Sequence, residues 1–227
     1  MDHETREPRL PFRDRQEAGR LLGAALRRSA VLHEATRPVV VGLARGGVEV
    51  AAGVAQALGA PLDALAVRKV RHPWQLEYGI GAVAPGGIVY LRGHDGLTQE
   101  QVERAVARAA VEADELDERL HEARPRVPVS GTACVLVDDG LATGGTMSAA
   151  VAWASAHEAA RIVVAVPVGA ADSCSALERD ERVAALVCLA IPPAFGAVGF
   201  WYEDFHQLSD DDVRALLARH PATVSPS

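Results

Sequence analysis

Residues Val135 to Thr146 read VLVDDGLATGGT, and few architectures can house such a segment. An apolar run (Val135, Leu136, Val137) ends in two adjacent carboxylates, Asp138 and Asp139. A turn of small and hydroxyl residues follows, and Met147 to Ala156 is an alanine-rich segment that reads as a helix. The order is therefore buried strand, acidic edge, tight loop, helix start. A small-residue loop at a helix N-terminus leaves backbone N–H groups free, and the helix dipole favours an anion there. Two carboxylates repel phosphate but accept hydrogen bonds from vicinal hydroxyls. Phosphate donors beside diol acceptors describe a site for a ribose 5-phosphate. A Walker-type loop binds phosphate too, but no Lys follows these glycines and acids precede them. The plain alternative is a buried strand with a solvated acidic turn.

The rest of the chain alternates strand and helix signals. Asp14 caps a helix to about Arg28, with Ala18, Leu21, Leu22, Ala25 and Leu26 as its apolar stripe. Pro38 opens a buried strand through Leu43, Ala44 to Gly47 form a turn, and Val48 to Leu58 read as a helix closed by Gly59. Leu62 to Val67 is the next strand. Arg68 to Pro85 has charges, Pro73, Trp74 and glycines with little periodicity, while Ile80–Val83 and Ile88–Leu91 flank a hairpin turn. Thr98 starts a long acidic helix to about Glu122. Strands at 162–166 and 183–191, a short helix at 171–179 and a terminal helix at 210–219 complete the pattern. Alternation of this kind predicts an α/β fold: a mainly parallel sheet with helices on both faces, carrying ligands beyond the carboxyl ends of its strands. Ala44–Gly47, Arg68 onward and Asp138–Thr146 all fall at such ends. The expected organisation is a flexible arm over 1–11, one domain over 12–220 and a disordered tail over 221–227. Within the domain, 68–92 forms a mobile loop and hairpin, and 192–208 a small hood.

Composition narrows the function classes. A chain of 227 residues with 49% hydrophobic residues can bury a sizeable core. Its net charge of −7 argues against a nucleic-acid surface. The polar start MDHETREPRL is not a secretory signal, and no apolar run approaches the ~20 residues of a membrane span. Three cysteines, Cys134, Cys174 and Cys188, show no metal or redox spacing. The expectation is a cytoplasmic protein with small-molecule partners. Among 23 basic residues there is a single lysine, Lys69, placed at the end of a strand. A compact ammonium there suits a phosphate as a point charge, although a solvated charge cluster would look the same.

The acidic segment resembles the motif by which type I phosphoribosyltransferases bind 5-phosphoribosyl 1-pyrophosphate (PRPP): four apolar residues, two acids, then x-x-A-T-G-G-T. Cys134–Val137 supply the apolar part, and the match runs unbroken to Thr146. The whole chain from Phe12 to Arg219 resembles a bacterial group of such proteins whose acceptor is not settled. FRDRQEAG at 12–19, GLARGGV at 42–48, VRK at 67–69, IGAV at 80–83 and AVGFWYEDF at 197–205 carry that resemblance. It implies transfer of phosphoribose from PRPP to a nitrogen acceptor, a nucleobase, with Mg²⁺ accompanying the donor and a homodimer as the assembly. In that scheme Asp138 and Asp139 hold the ribose hydroxyls, and Ala142, Thr143, Gly144, Gly145 and Thr146 the 5-phosphate. Ala44, Arg45 and Gly46, in a loop of unusual peptide geometry, meet the pyrophosphate with Lys69 and Arg71.

Two features bear on the acceptor. Leu76-Glu77-Tyr78-Gly79 is similar to a segment of adenine phosphoribosyltransferases, which makes Glu77 the candidate for proton transfer. The spacing from Lys69 is shorter than in those enzymes. Six-oxopurine enzymes place a carboxylate where this chain has Ala142, so general-base chemistry from that loop is absent. Gly140 is also a departure, since a larger apolar residue often follows the acidic pair. Five of the ten aromatic residues lie between Pro192 and Phe205. Phe200, Trp201 and Tyr202 are the candidates to stack on a base, as aromatic faces do. A PRPP-sensing regulatory or interaction protein that keeps the fold without turnover is the alternative.

Overall fold

The computed structural model describes residues 8–32, 38–93 and 96–220. Five parallel strands form the central sheet: β1 (Pro38–Leu43), β2 (Leu62–Leu65), β6 (Ala133–Val137), β7 (Arg161–Val168) and β8 (Val183–Ala190), in the order β2-β1-β6-β7-β8. Apolar residues at nearly every position make these strands, and alternation sorts their side chains onto two faces. Val39, Val41, Leu43 and Leu136 join one core with helices α4 (Gly145–Ala156) and α5 (Ala171–Glu178). Val40, Val135 and Val137 join the other, with α1 (Arg15–Arg28), α2 (Gly46–Leu58), the end of α3 (Gln99–His121), and α6 (Asp210–Ala218). Among the described residues no helix is long and apolar enough to cross a membrane.

Local signals explain the helix boundaries. The Asp14 side chain accepts from the Glu17 N–H to start α1, and Thr98 and Gln101 form a reciprocal capping box on α3. The stripe of α1 departs from the expected one. Leu21 is 41% exposed, and the buried face runs through Ala18, Gly19, Leu22, Gly23 and Leu26. The cause is close packing. A Cβ at Gly19 would collide with the Val50 carbonyl of α2, and one at Gly53 would stand 2.8 Å from the Gly19 backbone. Hydrophobicity alone gives no weight to glycine, so the sequence reading turned the helix by one position.

A second difference lies between Arg68 and Pro85. This stretch forms strands β3 (Arg68–His72) and β4 (Gln75–Ala84), which with β5 (Ile88–Leu91) make a separate antiparallel sheet in the order β3-β4-β5. A register irregularity at Val70–His72 interrupts the two-residue alternation and hid β3 from periodicity. Val70, Ile80 and Val83 pack this sheet on α3, while Ala82 and Ala84 face the core shared with α4.

The chain leaves β1 toward β2 on one side and returns through β6 on the other. This strand order creates a switch point between β1 and β6, where Gly42 pairs with Val137. A crevice outside the carboxyl ends of the strands at such a point is where open α/β sheets bind ligands.

Candidate active site

The loops after β1 and β6 meet at the switch point. A Cβ on Gly47 would lie 2.7 Å from the Val137 carbonyl oxygen and 2.8 Å from Asp138 Cα, and one on Gly46 would collide with Asp139 Oδ2. Glycine is required here because the β1 loop lies against the acidic pair. The Ala44–Arg45 peptide bond is cis, the unusual geometry expected of this loop.

Asp138 and Asp139 sit side by side on the end of β6. The Asp139 N–H donates to Asp138 Oδ1 at 2.9 Å. Arg15 Nε donates to Asp139 Oδ2 at 2.9 Å, and the Tyr202 hydroxyl donates to the Asp139 carbonyl at 2.6 Å. Burial pushes the Asp138 carboxyl well above the usual range, and the charge of Asp139 pushes it further, against weaker pulls from Lys69 and Arg15. Burial also raises Asp139, but the charge and hydrogen bond of Arg15 oppose it. The pair is thus asymmetric, with the cation on Asp139.

The loop that follows is strapped to the sheet. Leu141 donates to the Val168 carbonyl at 2.9 Å and accepts from Ala170 at 2.8 Å, and Ser173 Oγ donates to the Ala142 carbonyl at 2.6 Å. Gly144 takes a left-handed conformation, φ 76°, as the residue before α4, with no side chain capping the helix. A cleft of about 120 Å³ opens at this helix start, lined by Thr143, Gly145 and Thr146 on one side and Lys69, Tyr78, Gly79, Gly81 and Arg92 on the other. It combines an uncapped helix N-terminus with two cationic side chains, the chemistry that receives a phosphate.

The remaining candidate residues are placed unequally. The Arg45 side chain, 44% exposed, is directed to Asp210 of α6 at 3.6 Å, and Asp210 also accepts from Arg119. Arg71 is exposed on β3 and does not line the cleft. The Glu77 side chain lies outside the described residues. Phe200 is 76% exposed, on a 3-10 turn at Val198–Trp201. Trp201 donates its indole N–H to the Phe195 carbonyl. Tyr202 is buried between Phe12 and Phe205, so its ring has no free face to offer.

Three residues that the motifs did not single out belong to this region. Arg15 comes from FRDRQEAG, whose Phe12 donates its N–H to the Trp201 carbonyl and whose Phe12 and Arg13 carbonyls accept from Glu203 and Asp204. Two distant motifs therefore lie together against the acidic pair. Arg92 follows β5 and is recognisable in sequence only as a cation near the hairpin. Val198 accounts for Gly140: a Cβ at 140 would stand 2.6 Å from Val198 Cγ1, so the hood occupies the space a larger residue would fill.

The pattern of the phosphoribosyl transferase domain family matches residues 16–198. The chain belongs to this family. Two curated phosphoribosyl transferase relatives from Mycobacterium tuberculosis, strains CDC 1551 / Oshkosh and ATCC 25618 / H37Rv, carry that name provisionally. Each is 42% identical over 217 residues, covering 92% of this chain. The chain spans 46% of their length. The crystal structure of TT1426 from Thermus thermophilus is 40% identical with a TM-score of 0.77, covering 92% of this chain and 98% of that one. The AQ2163 protein of Aquifex aeolicus, at 15% identity and a TM-score of 0.52 over 82% of this chain and 84% of its own, shares the fold alone. The parallel sheet with its small antiparallel companion is the type I phosphoribosyltransferase arrangement that the sequence led us to expect.

Proposed function

We propose that this chain transfers phosphoribose from PRPP to the nitrogen of a nucleobase and releases pyrophosphate. One juxtaposition carries the reading: the acidic pair Asp138–Asp139 stands at the start of the loop that leads into the uncapped N-terminus of α4, with Lys69 and Arg92 across the cleft. The pair accepts the ribose hydroxyls. The loop N–H groups from Thr143 to Thr146 hold the 5-phosphate, and Lys69 supplies positive charge to the phosphates. The bond from C1 to the pyrophosphate oxygen breaks first, giving an oxocarbenium-like sugar that the acceptor nitrogen attacks.

Mg²⁺ would supply charge neutralisation of the leaving pyrophosphate. It would arrive with the phosphates of the donor, whose oxygens are hard ligands of the kind it takes, since among the described residues no group of three or more acidic, His or Cys side chains stands together to hold it. Tyr78 and Gly79 on β4 wall the cleft from the antiparallel sheet, which limits water access to the activated sugar. On the acceptor side, the exposed Phe200 is the ring free to stack on a base. Glu77 remains the proposed proton-transfer residue.

The test is a pyrophosphate-release screen of PRPP with purines, pyrimidines and other amines. Base-dependent release is the expected result. PRPP binding without release under any acceptor would favour a sensor over an enzyme. Unchanged PRPP binding by calorimetry in a chain carrying both Asp138→Asn and Asp139→Asn would defeat the assignment of the sugar site.

A further inference from the structure

Arg15 is 5% exposed, and a buried guanidinium needs partners for its N–H groups. It has two acceptors from distant parts of the chain, and an aromatic ring beside the second of them lies over it. Nε donates to Asp139 Oδ2 at 2.9 Å, Nη1 donates to the His206 carbonyl at 2.7 Å, and the guanidinium plane lies 3.9 Å from the Phe205 ring centroid. Phe205 in turn stacks on Tyr202 at 5.2 Å, and Tyr202 holds the Asp139 carbonyl. Asp139 is thus anchored through its side chain and its backbone by groups that themselves touch, while Asp138 has no direct cationic contact among the described residues.

From this geometry we infer that Arg15 is a positioning residue, which orients the Asp139 carboxylate for the sugar and locks the acceptor-side hood to it. The inference rests on the phosphoribosyl reading for its consequence, although the Arg15–Asp139 link itself does not. Lysine cannot replace the arrangement. A point ammonium on a flexible stem reaches a carboxylate but cannot also offer a planar fork to His206 and a flat face to Phe205. The other ionisable groups facing the pair are Lys69 from β3 and Tyr202 from the hood, with Glu49 of α2 acting on Tyr202. Only Arg15 makes a hydrogen-bonded ion pair with either acid among the described residues. Its hydrogen bond and charge oppose the effect of burial on Asp139, and Asp138 has no such partner among the described residues. Ribose then meets one carboxylate held by a cation and one that is not.

Arg15→Lys and Arg15→Gln in the full chain separate charge from geometry. Two readouts serve: the pH dependence of PRPP affinity, and the titration of the Asp139 carboxyl followed by carbon NMR without PRPP. Gln should move the Asp139 titration and the acid limb of binding to higher pH, and weaken PRPP about tenfold or more, as loss of a hydrogen bond to a charged group does. Lys should keep both titrations near the wild-type position and raise the KM of the acceptor with a smaller change in kcat. Equal behaviour of the two variants overturns the proposal, whether both resemble wild type or both are equally impaired. Phe205→Leu keeps the ion pair and alters a surface side chain, so it gives an answer even where Gln does not fold. It should weaken PRPP about two- to fivefold through loss of the cation–π contact, and no change there also overturns the proposal. If the wild-type chain does not bind PRPP, the phosphoribosyl reading fails, and the Asp139 titration still decides whether Arg15 holds that carboxylate.

Discussion

Two clusters of acids stand on either side of β1, one on the edge strand β2 and one past the end of β6, and they are completed differently. At the edge strand β2, Asp63 is fully buried, and every donor around it is aimed inward. His121 Nε2 lies 3.0 Å from Oδ1, the Val127 N–H donates to Oδ2 at 3.0 Å, and Arg126 Nη1 stands 3.6 Å away. Asp117 adds a second acid, bonded to Arg126 and beside His121. This cluster binds β2, α3 and the 124–128 segment together. At the switch point, by contrast, one cation serves two acids, and Asp138 carries the cost as a raised carboxyl. A saturated cluster holds a fold; an unsaturated one has capacity left for a ligand. The difference lies in how fully their hydrogen bonds are satisfied.

That contrast can be broken by substitution. Asp63→Ala leaves His121 Nε2 and the Val127 N–H without their acceptor and takes one of two nearby carboxylates from Arg126, and should destabilise the chain by about 3–5 kcal/mol. At roughly 2–4 °C per kcal/mol for a domain of this size, the Tm would fall by on the order of 10 °C. PRPP affinity of the remaining folded protein should not change. Asp138→Asn should do the reverse, costing about 1.5–3 kcal/mol of PRPP binding as a lost charged hydrogen bond, while the Tm holds or rises. A large Tm loss in this variant would show that Asp138 is structural and erase the distinction. Gly140→Val places methyls where Val198 already sits, an overpacking of about 1–3 kcal/mol. The hood can move to relieve it, so calorimetry should show a weaker acceptor and a smaller loss of PRPP affinity, about two- to fivefold, through the Arg15 link. Equal losses for both ligands would mean that the hood and the sugar loop do not act separately.

The smallest effect concerns pH. Burial lowers the affinity of His121 for a proton, but the hydrogen bond and charge of Asp63 raise it more, so its pKa is elevated on balance. A group with a raised folded pKa contributes stability that is complete below its unfolded value, near 6.5 for histidine, and is lost as pH rises through the folded value. The Tm of the wild-type chain should therefore decline above about pH 6.5, and His121→Gln should flatten that decline by a degree or two. A pH profile that His121→Gln leaves untouched would remove the histidine from the account.

Much of the site was legible because its parts are local. The acidic edge, the glycine turn and the start of α4 are contiguous, and each has a short-range physical signature. Lys69 stood out as the single lysine after an apolar run, although it lies within β3 rather than at the end of a strand. The β3–β4 pair was missed because its register shift interrupts alternation. Arg15 was missed for a different reason. Its partners are 124 and 191 residues away, and nothing near position 15 marks it as anything but a helix residue. Gly140 was visible as a departure but not explicable, since its reason is Val198. The arginine at position 45 was read as reaching the pyrophosphate, whereas its side chain is directed to Asp210 on α6, a contact no local pattern encodes.

The backbone link between Phe12 and the 201–204 segment has a consequence for the order in which the molecule comes into being. Emerging from the ribosome, the sheet up to β7 can assemble with the acidic edge in place. Asp139 and Arg15 can even meet. Yet Tyr202, which holds the Asp139 carbonyl, comes 63 residues later in the chain, with Phe205 and the His206 carbonyl just beyond it. Contacts of such long sequence separation form late, because chain closure must precede them. A growing chain therefore carries its acidic edge before the segment that secures it exists.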